Sequence, residues 1–299
     1  MESPVLLFRQ PNELAEGPLW DDRTQTLYWL DVLSGTIWRS RFEGPVPATP
    51  ESWVPAPRIS CLGLRDDGKL MGAFEKEIAV FSWGGVPQKL IDSSHDSALM
   101  AINDGKVGPD GAFWFGAKDR AHENPIAPLQ RIGCEGKLEI LEAGLTISNG
   151  LDWSPDGRWF YLTDSIPRVI WRYRYDGATS TISDREVFAD GTEAPGVPDG
   201  LAVDAEGCLW SARWGGSQLV RLSPDGEVLA RVAFPVSRVS SCTFGGPDLK
   251  TLFVTTAKED LNPAERRAEV LSGSIFSLKV DVPGLPTHRF STAIIKELP

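Results

Sequence analysis

Apolar runs of four to six residues, each cut off by Gly, Pro, Asp or Asn, recur along the whole chain. Runs of that length between turn residues read as short strands, and helical patterning is scarce. One passage sets the pattern. Ser148-Asn149-Gly150-Leu151-Asp152-Trp153-Ser154-Pro155-Asp156-Gly157 reads as a tight polar turn, a short strand, a second turn and then the strand Trp159-Phe160-Tyr161-Leu162. Pro155-Asp156-Gly157 is turn chemistry, because proline presets φ and glycine takes φ > 0. The same order of parts returns at Pro198-Asp199-Gly200-Leu201-Ala202-Val203 with Leu209-Trp210, and at Asn103-Asp104-Gly105-Lys106-Val107 with Phe113-Trp114. Helix-like stretches such as Pro263–Glu269 are short enough to be surface loop with a turn or two.

Aligned on the polar residue that opens each unit, the repeats start at Glu16, Ser60, Asn103, Asn149, Asp199 and Ser241, with spacings of 44, 43, 46, 50 and 42 residues. A four-stranded propeller blade occupies roughly 40–50 residues. Six such units predict an all-β chain folded as a six-bladed β-propeller, one domain over residues 1–299, in which radial repetition leaves only short sheet edges. Closure needs the two ends to share a blade. Val5-Leu6-Leu7-Phe8 is a strand-like run ahead of the first unit, and is expected to complete the last blade.

Eleven tryptophans suit pleated, half-buried surfaces and agree with that reading. A net charge of −11 argues against nucleic acid and against an anionic membrane surface, since both need a basic face. Cys61, Cys134, Cys208 and Cys242 lie far apart without CxxC spacing, so buried free thiols are expected rather than a zinc ribbon or a disulfide framework. The N-terminus shows no secretory pattern and no run approaches the ~20 apolar residues of a membrane span, which points to the cytoplasm. Oligomeric state leaves no mark.

In a propeller the first strand of each blade lies nearest the channel, so the six opening residues form a ring about one axis. All six are polar, and two are carboxylates with no Lys or Arg among them. Desolvated carboxylates need counter-charge, and a hard divalent cation held by oxygen donors supplies it. Glu16, Asn149 and Asp199 are the metal-ligating candidates, with Ca²⁺ first and Zn²⁺, Mn²⁺ or Mg²⁺ as alternatives. Ser60 and Ser241 read better as strand-capping residues. Other chemistries fail on inventory. There is no G-x-S-x-G elbow, no GxGxxG or P-loop, and His95, His122 and His288 lack HExxH spacing.

Six pieces in order, Glu16-Gly17-Pro18-Leu19-Trp20, Asn103-Asp104-Gly105-Lys106-Val107, Ser148-Asn149-Gly150-Leu151-Asp152-Trp153-Ser154, Pro198-Asp199-Gly200, Ser241-Cys242-Thr243-Phe244-Gly245-Gly246 and Gly273-Ser274-Ile275-Phe276, give the chain a resemblance to the family of gluconolactonase, regucalcin (senescence marker protein) and luciferin-regenerating enzyme. The resemblance implies a single channel cation on Glu16, Asn149 and Asp199, and hydrolysis of a small-molecule lactone or ester. It also implies Asn103 touching substrate and Asp199 acting as general base. One departure stands out: sugar-lactone members place an arginine two residues before the Asn matching Asn103, and here that residue is Ala101. A five-donor fork is replaced by a methyl group, which points to a less hydroxylated substrate and leaves Lys118 and Arg120 as substitute substrate-binding residues. The competing readings are a non-catalytic calcium-binding propeller and a phosphotriester or aryl-ester hydrolase using the same channel metal.

Overall fold

The computed structural model describes residues 3–292 apart from 45, 56, 57 and 134. Six sheets follow one another along the chain, each built of antiparallel neighbours hydrogen-bonded in sequence order, except that the last takes in the N-terminal strand and the second gains a short parallel strand from the C-terminal segment. The first strands of the six units are Ala15–Asp21, Ile59–Arg65, Met100–Val107, Ser148–Trp153, Val197–Val203 and Val239–Gly245. Each packs on the first strand of the next blade, and the sixth packs on the first, so together they wall one channel. Val5–Phe8 pairs antiparallel with Ile275–Lys279, Leu6 opposite Phe276, and the N-terminal strand thereby closes the ring in the last blade as expected. The wedges between blades are filled by aromatic side chains. Trp114 and Trp153, from blades 3 and 4, meet edge to face with centroids 5.3 Å apart. Cys61, Cys208 and Cys242 are buried and free, while Cys134 lies outside the described residues. Pro263–Ala268 is a short helix, closed at its start by an Asn262–Glu265 capping box.

The tight polar turn expected at Ser148-Asn149-Gly150 is not there, since Ser148–Trp153 is strand throughout. Gly150 serves clearance instead: a Cβ on it would stand 2.2 Å from the Leu201 amide nitrogen of the next blade. At Gly200 the corresponding atom would stand 2.1 Å from Ser241 Oγ. These Asn-Gly and Asp-Gly pairs therefore mark where neighbouring innermost strands crowd, not where the chain reverses. Gly157, by contrast, has φ +67° and makes the turn that Pro155-Asp156-Gly157 predicted.

Every inner hairpin slips register once, at Glu16/Leu19, Ile59/Cys61, Ile102/Gly105, Ser148/Leu151, Pro198/Leu201 and Val239/Ser241. Bulges re-aim side chains and cluster beside functional sites. Here all six fall on the polar ring.

Residues 283–292 run across the channel end opposite that ring. Pro283 accepts from the Ala205 amide, Gly284 donates to Leu249, and Thr287 Oγ1 donates to Trp20. Arg289 and Phe290 then lie parallel to Leu64 and Arg65, and the Ser291 amide reaches Gly111. This strap touches turns of blades 5, 6, 1, 2 and 3 in succession, and it was not anticipated from the sequence. Among the described residues no helix is long and apolar enough to cross a membrane.

Candidate metal and substrate cavity

The open end of the channel leads into a cavity of about 340 Å³, within the size range of small-molecule sites. Glu16, Asn149 and Asp199 line it together, with Asn103, Ser60 and Lys118. Ser241 lies instead in a narrow space of about 50 Å³ deeper in the channel. Arg120 is not brought to the cavity. Its Nε donates to the carbonyls of Ser97 and Met100 and its Nη2 to Glu75, because the chain turns away after Asp119. The turn is made by Asp119, whose carboxylate accepts from the amides of Ala121, Glu123 and Asn124. Those bonds hold the Asp119 carboxyl down at about 2.

The two ring carboxamides are oriented from behind. Ser165 Oγ gives its single proton to the Pro198 carbonyl at 2.8 Å, so it can only accept from Asn149 Nδ2, 3.2 Å away. One N–H of Asn149 is thereby committed, and a second hydrogen bond runs from its side chain to Asp199. Asn103 is set the same way, Nδ2 donating to the Ser148 carbonyl of the next blade at 3.0 Å. Each carboxamide keeps an oxygen that can serve as an acceptor or a ligand.

Three carboxylates meet here without a cationic partner. Burial raises Glu16 well above the usual carboxylate range, and the negative charges of Asp199 and Asp104 push it further. Asp199 is raised by burial and then by Asp104, against the opposing pull of the Lys118 charge and a hydrogen bond from Asn149. Asp104 is pushed up to about 6 by burial, against the opposing pull of the Gly105 amide and Lys106. Among the described residues none of the three makes an ion pair, and Gly17 N and Gly105 N are the nearest compensation for Glu16 and Asp104. Buried uncompensated anions are costly, and a divalent cation resolves the cost. Two carboxylates and an oriented carboxamide oxygen form the hard donor set such a cation prefers, so the residues present fit it.

Asp104 was missed by the sequence reading, which took one ring residue, Asn103, from the first strand of blade 3. The slip between Ile102 and Gly105 lets two consecutive side chains reach the cavity. The available signal was a carboxylate inside the ring motif itself. A separate acidic group, Asp204, Glu206 and Cys208, has donor atoms close enough together to hold an ion. Asp204 is already saturated by Arg221, Trp210 Nε1 and two amides, so that group is structural. Of the three histidines, only His122 lines the cavity.

The ring, the crowded glycines and the oxygen-rich channel define a six-bladed propeller with a small-molecule site on its axis. Residues 14–258 match the SMP-30/Gluconolactonase/LRE-like region, and the chain belongs to that family. It is 34% identical over 293 residues to the 6-deoxy-6-sulfogluconolactonase of Pseudomonas putida, covering 97% of this chain and 99% of that protein. To the L-arabinolactonase of Azospirillum brasilense it is likewise 34% identical over 293 residues, covering 96% and 95% of the two chains. Among solved structures it is similar to the calcium-binding protein regucalcin from Agrobacterium tumefaciens, with a TM-score of 0.90 and 28% identity over 97% of both chains.

Proposed function

We propose that the protein is a divalent-metal-dependent lactone hydrolase whose cation is held by Glu16, Asn149 and Asp199. The observation that carries this reading is the presence of Glu16 and Asp199, buried and, among the described residues, without an ion pair, in one ligand-sized cavity beside the Asn149 carboxamide that Ser165 holds. Relatives named as sugar lactonases support the reaction class. When bound, a divalent cation supplies a Lewis acid for the lactone carbonyl and lowers the pKa of a water. The chain's own groups do the rest. Asp199 takes the proton from the attacking water and returns it to the ring oxygen as the ester C–O bond breaks. Asn103 holds the substrate against the ring, and Leu14, Val32, Ile147 and Val197 exclude water on the other side.

The regucalcin neighbour, described as a calcium-binding protein, favours one second reading: the same three ligands holding Ca²⁺ without turnover. A panel of lactones, aryl esters and phosphotriesters assayed on stripped protein with Ca²⁺, Zn²⁺, Mn²⁺ or Mg²⁺ added back separates them. Chelator-sensitive turnover of lactones, with one ion bound per chain and ion binding lost in Glu16→Gln, is the expected result. One bound ion with no turnover of any lactone sinks the hydrolase and leaves the binding protein.

A further inference from the structure

Among the residues lining the cavity, Lys118 is the single Lys or Arg. It is half-buried, and among the described residues its ammonium makes no ion pair and no side-chain hydrogen bond. An amine held that way inside a cavity is a binding group waiting for an acceptor.

Its place in the sheet is equally informative. Lys118 stands directly opposite Ala101 across the inner hairpin of blade 3, in the pair next to Ile102–Ala117. Side chains opposite each other in a ladder share one patch of surface, with Cβ atoms about 5 Å apart. The small residue at 101 therefore leaves room for the ammonium on the neighbouring strand. Nothing else on that strand competes for the role, since Asp119 and Arg120 are engaged in the turn and the rim. His122 lines the cavity on the same side, four residues further on.

The charges around Lys118 are arranged asymmetrically. Glu16 and Asp199 belong to the ring, and a divalent cation there would offset both. Glu259 and Asp260 reach the cavity from blade 6; neither makes an ion pair with Lys118, although its charge pulls the Glu259 carboxyl down against the effect of burial. Ile147, Ile166 and Val197 offer no hydrogen bonds to sugar hydroxyls. With the ring satisfied, Lys118 is the one positive side chain in a lining that also holds Asp104, Glu259 and Asp260.

We propose that Lys118 is a specificity-determining residue that receives an anionic substituent of the lactone, a carboxylate, sulfonate or phosphate placed away from the ester being opened. This deepens the lactonase reading and rests on it for the word lactone. A charge-assisted bond of this kind separates anionic from neutral ligands by about ten- to a hundredfold.

The test compares matched lactones that differ only in one group: hydroxymethyl, carboxylate, sulfomethyl or phosphomethyl. Wild type, Lys118→Met and Lys118→Arg are measured with a saturating divalent cation, and the readout is kcat/KM for each anionic lactone divided by that for the neutral one. Lys118→Met is expected to lower the ratio about ten- to a hundredfold through KM, with Lys118→Arg restoring most of it. Raising ionic strength should lower the wild-type ratio but not that of Lys118→Met. A ratio that stays within twofold of wild type in Lys118→Met overturns the proposal. Titration calorimetry with the corresponding non-hydrolysable lactams keeps the two hypotheses apart. Absent turnover with a Lys118-dependent preference for anionic lactams discards the hydrolase and supports the anion site; equal lactam binding in both variants discards the anion site.

Discussion

The two ends of the channel are built from the same strands and the same residue types, yet they treat charge in opposite ways. At the strapped end the acids flanking the channel are matched: Asp152 with Lys106 at 2.5 Å, Asp21 with Arg289 at 2.6 Å, Asp204 with Arg221 at 2.7 Å and Asp110 with Arg131 at 2.8 Å. At the open end Glu16, Asp104 and Asp199 lie at comparable depth, and among the described residues no Lys or Arg pairs with any of them. The fold can neutralise a buried carboxylate when neutrality is all that is needed. Its failure to do so at one end sets that end apart as the candidate site.

The largest effect on function belongs to the open end. Asp199→Ala should lower kcat for a lactone about 10²- to 10⁴-fold at saturating cation, the loss typical of a missing general base. Steady-state kinetics over a cation titration would measure it. Activity within a few-fold of wild type, with the ion still bound, removes Asp199 from the chemistry.

Breaking the strapped end should instead cost stability. Asp204 is fully buried and serves Arg221, Trp210 Nε1 and the amides of Glu206 and Cys208. Asp204→Ala strands all of those donors, and loss of one partner of a buried pair costs about 3–5 kcal/mol. Denaturant unfolding reads that figure, and ion affinity measured by calorimetry should not move. A changed ion affinity would erase the division between the two ends.

An acid whose folded pKa stands above its unfolded value grips its proton more tightly when folded, so stability falls as pH rises between the two. Asp104, pushed up to about 6, places that window between about 4 and about 6, and the raised Glu16 and Asp199 act in the same direction. The metal-free protein should therefore melt lower as pH climbs from about 4 to above 6, and added Ca²⁺ should recover more stability at the higher pH. Asp104→Asn removes the penalty, and should stabilise the metal-free protein at pH 7 by up to about 3 kcal/mol while changing little at pH 4. A melting temperature that rises with pH in the metal-free protein would contradict the picture of uncompensated acids.

The ring was legible in the sequence because its polar residues recur at blade spacing against an apolar background, and six weak signals in order are strong. What escaped was whatever broke the strand's period of two. Lys118 and Arg120 share a face only while the strand continues, and Asp119 ends it by taking the following amides. Asp104 reaches the cavity through a bulge, which no alternation of polar and apolar residues announces. The strap escaped for another reason. Val282-Pro283-Gly284-Leu285-Pro286 is interrupted by proline, and its pairing is with five distant turns, so nothing local marks it as structure.

The finest distinction between the ends concerns how a ring oxygen is aimed, and Ser165 is its test. Its hydroxyl donates to Pro198 and accepts from Asn149, so it ties blade 4 to the strand carrying Asp199 and helps to hold the Asn149 carboxamide. Ser165→Ala removes the acceptor that holds Nδ2. The amide is then held only through Asp199, and its oxygen loses a fixed aim. Because groups that orient a ligand typically carry 10- to 100-fold in metal affinity, calorimetry should show a loss of about tenfold. Ser165→Thr keeps the hydroxyl and should recover most of it. The counterpart at the strapped end is Thr287, whose hydroxyl donates to the Trp20 carbonyl at 2.8 Å and aims nothing at the ring. Thr287→Val should cost about 1 kcal/mol of stability and leave ion affinity intact. If both substitutions altered stability alone, Asn149 would be oriented by the strand itself, and the open end would need no device that the strapped end lacks.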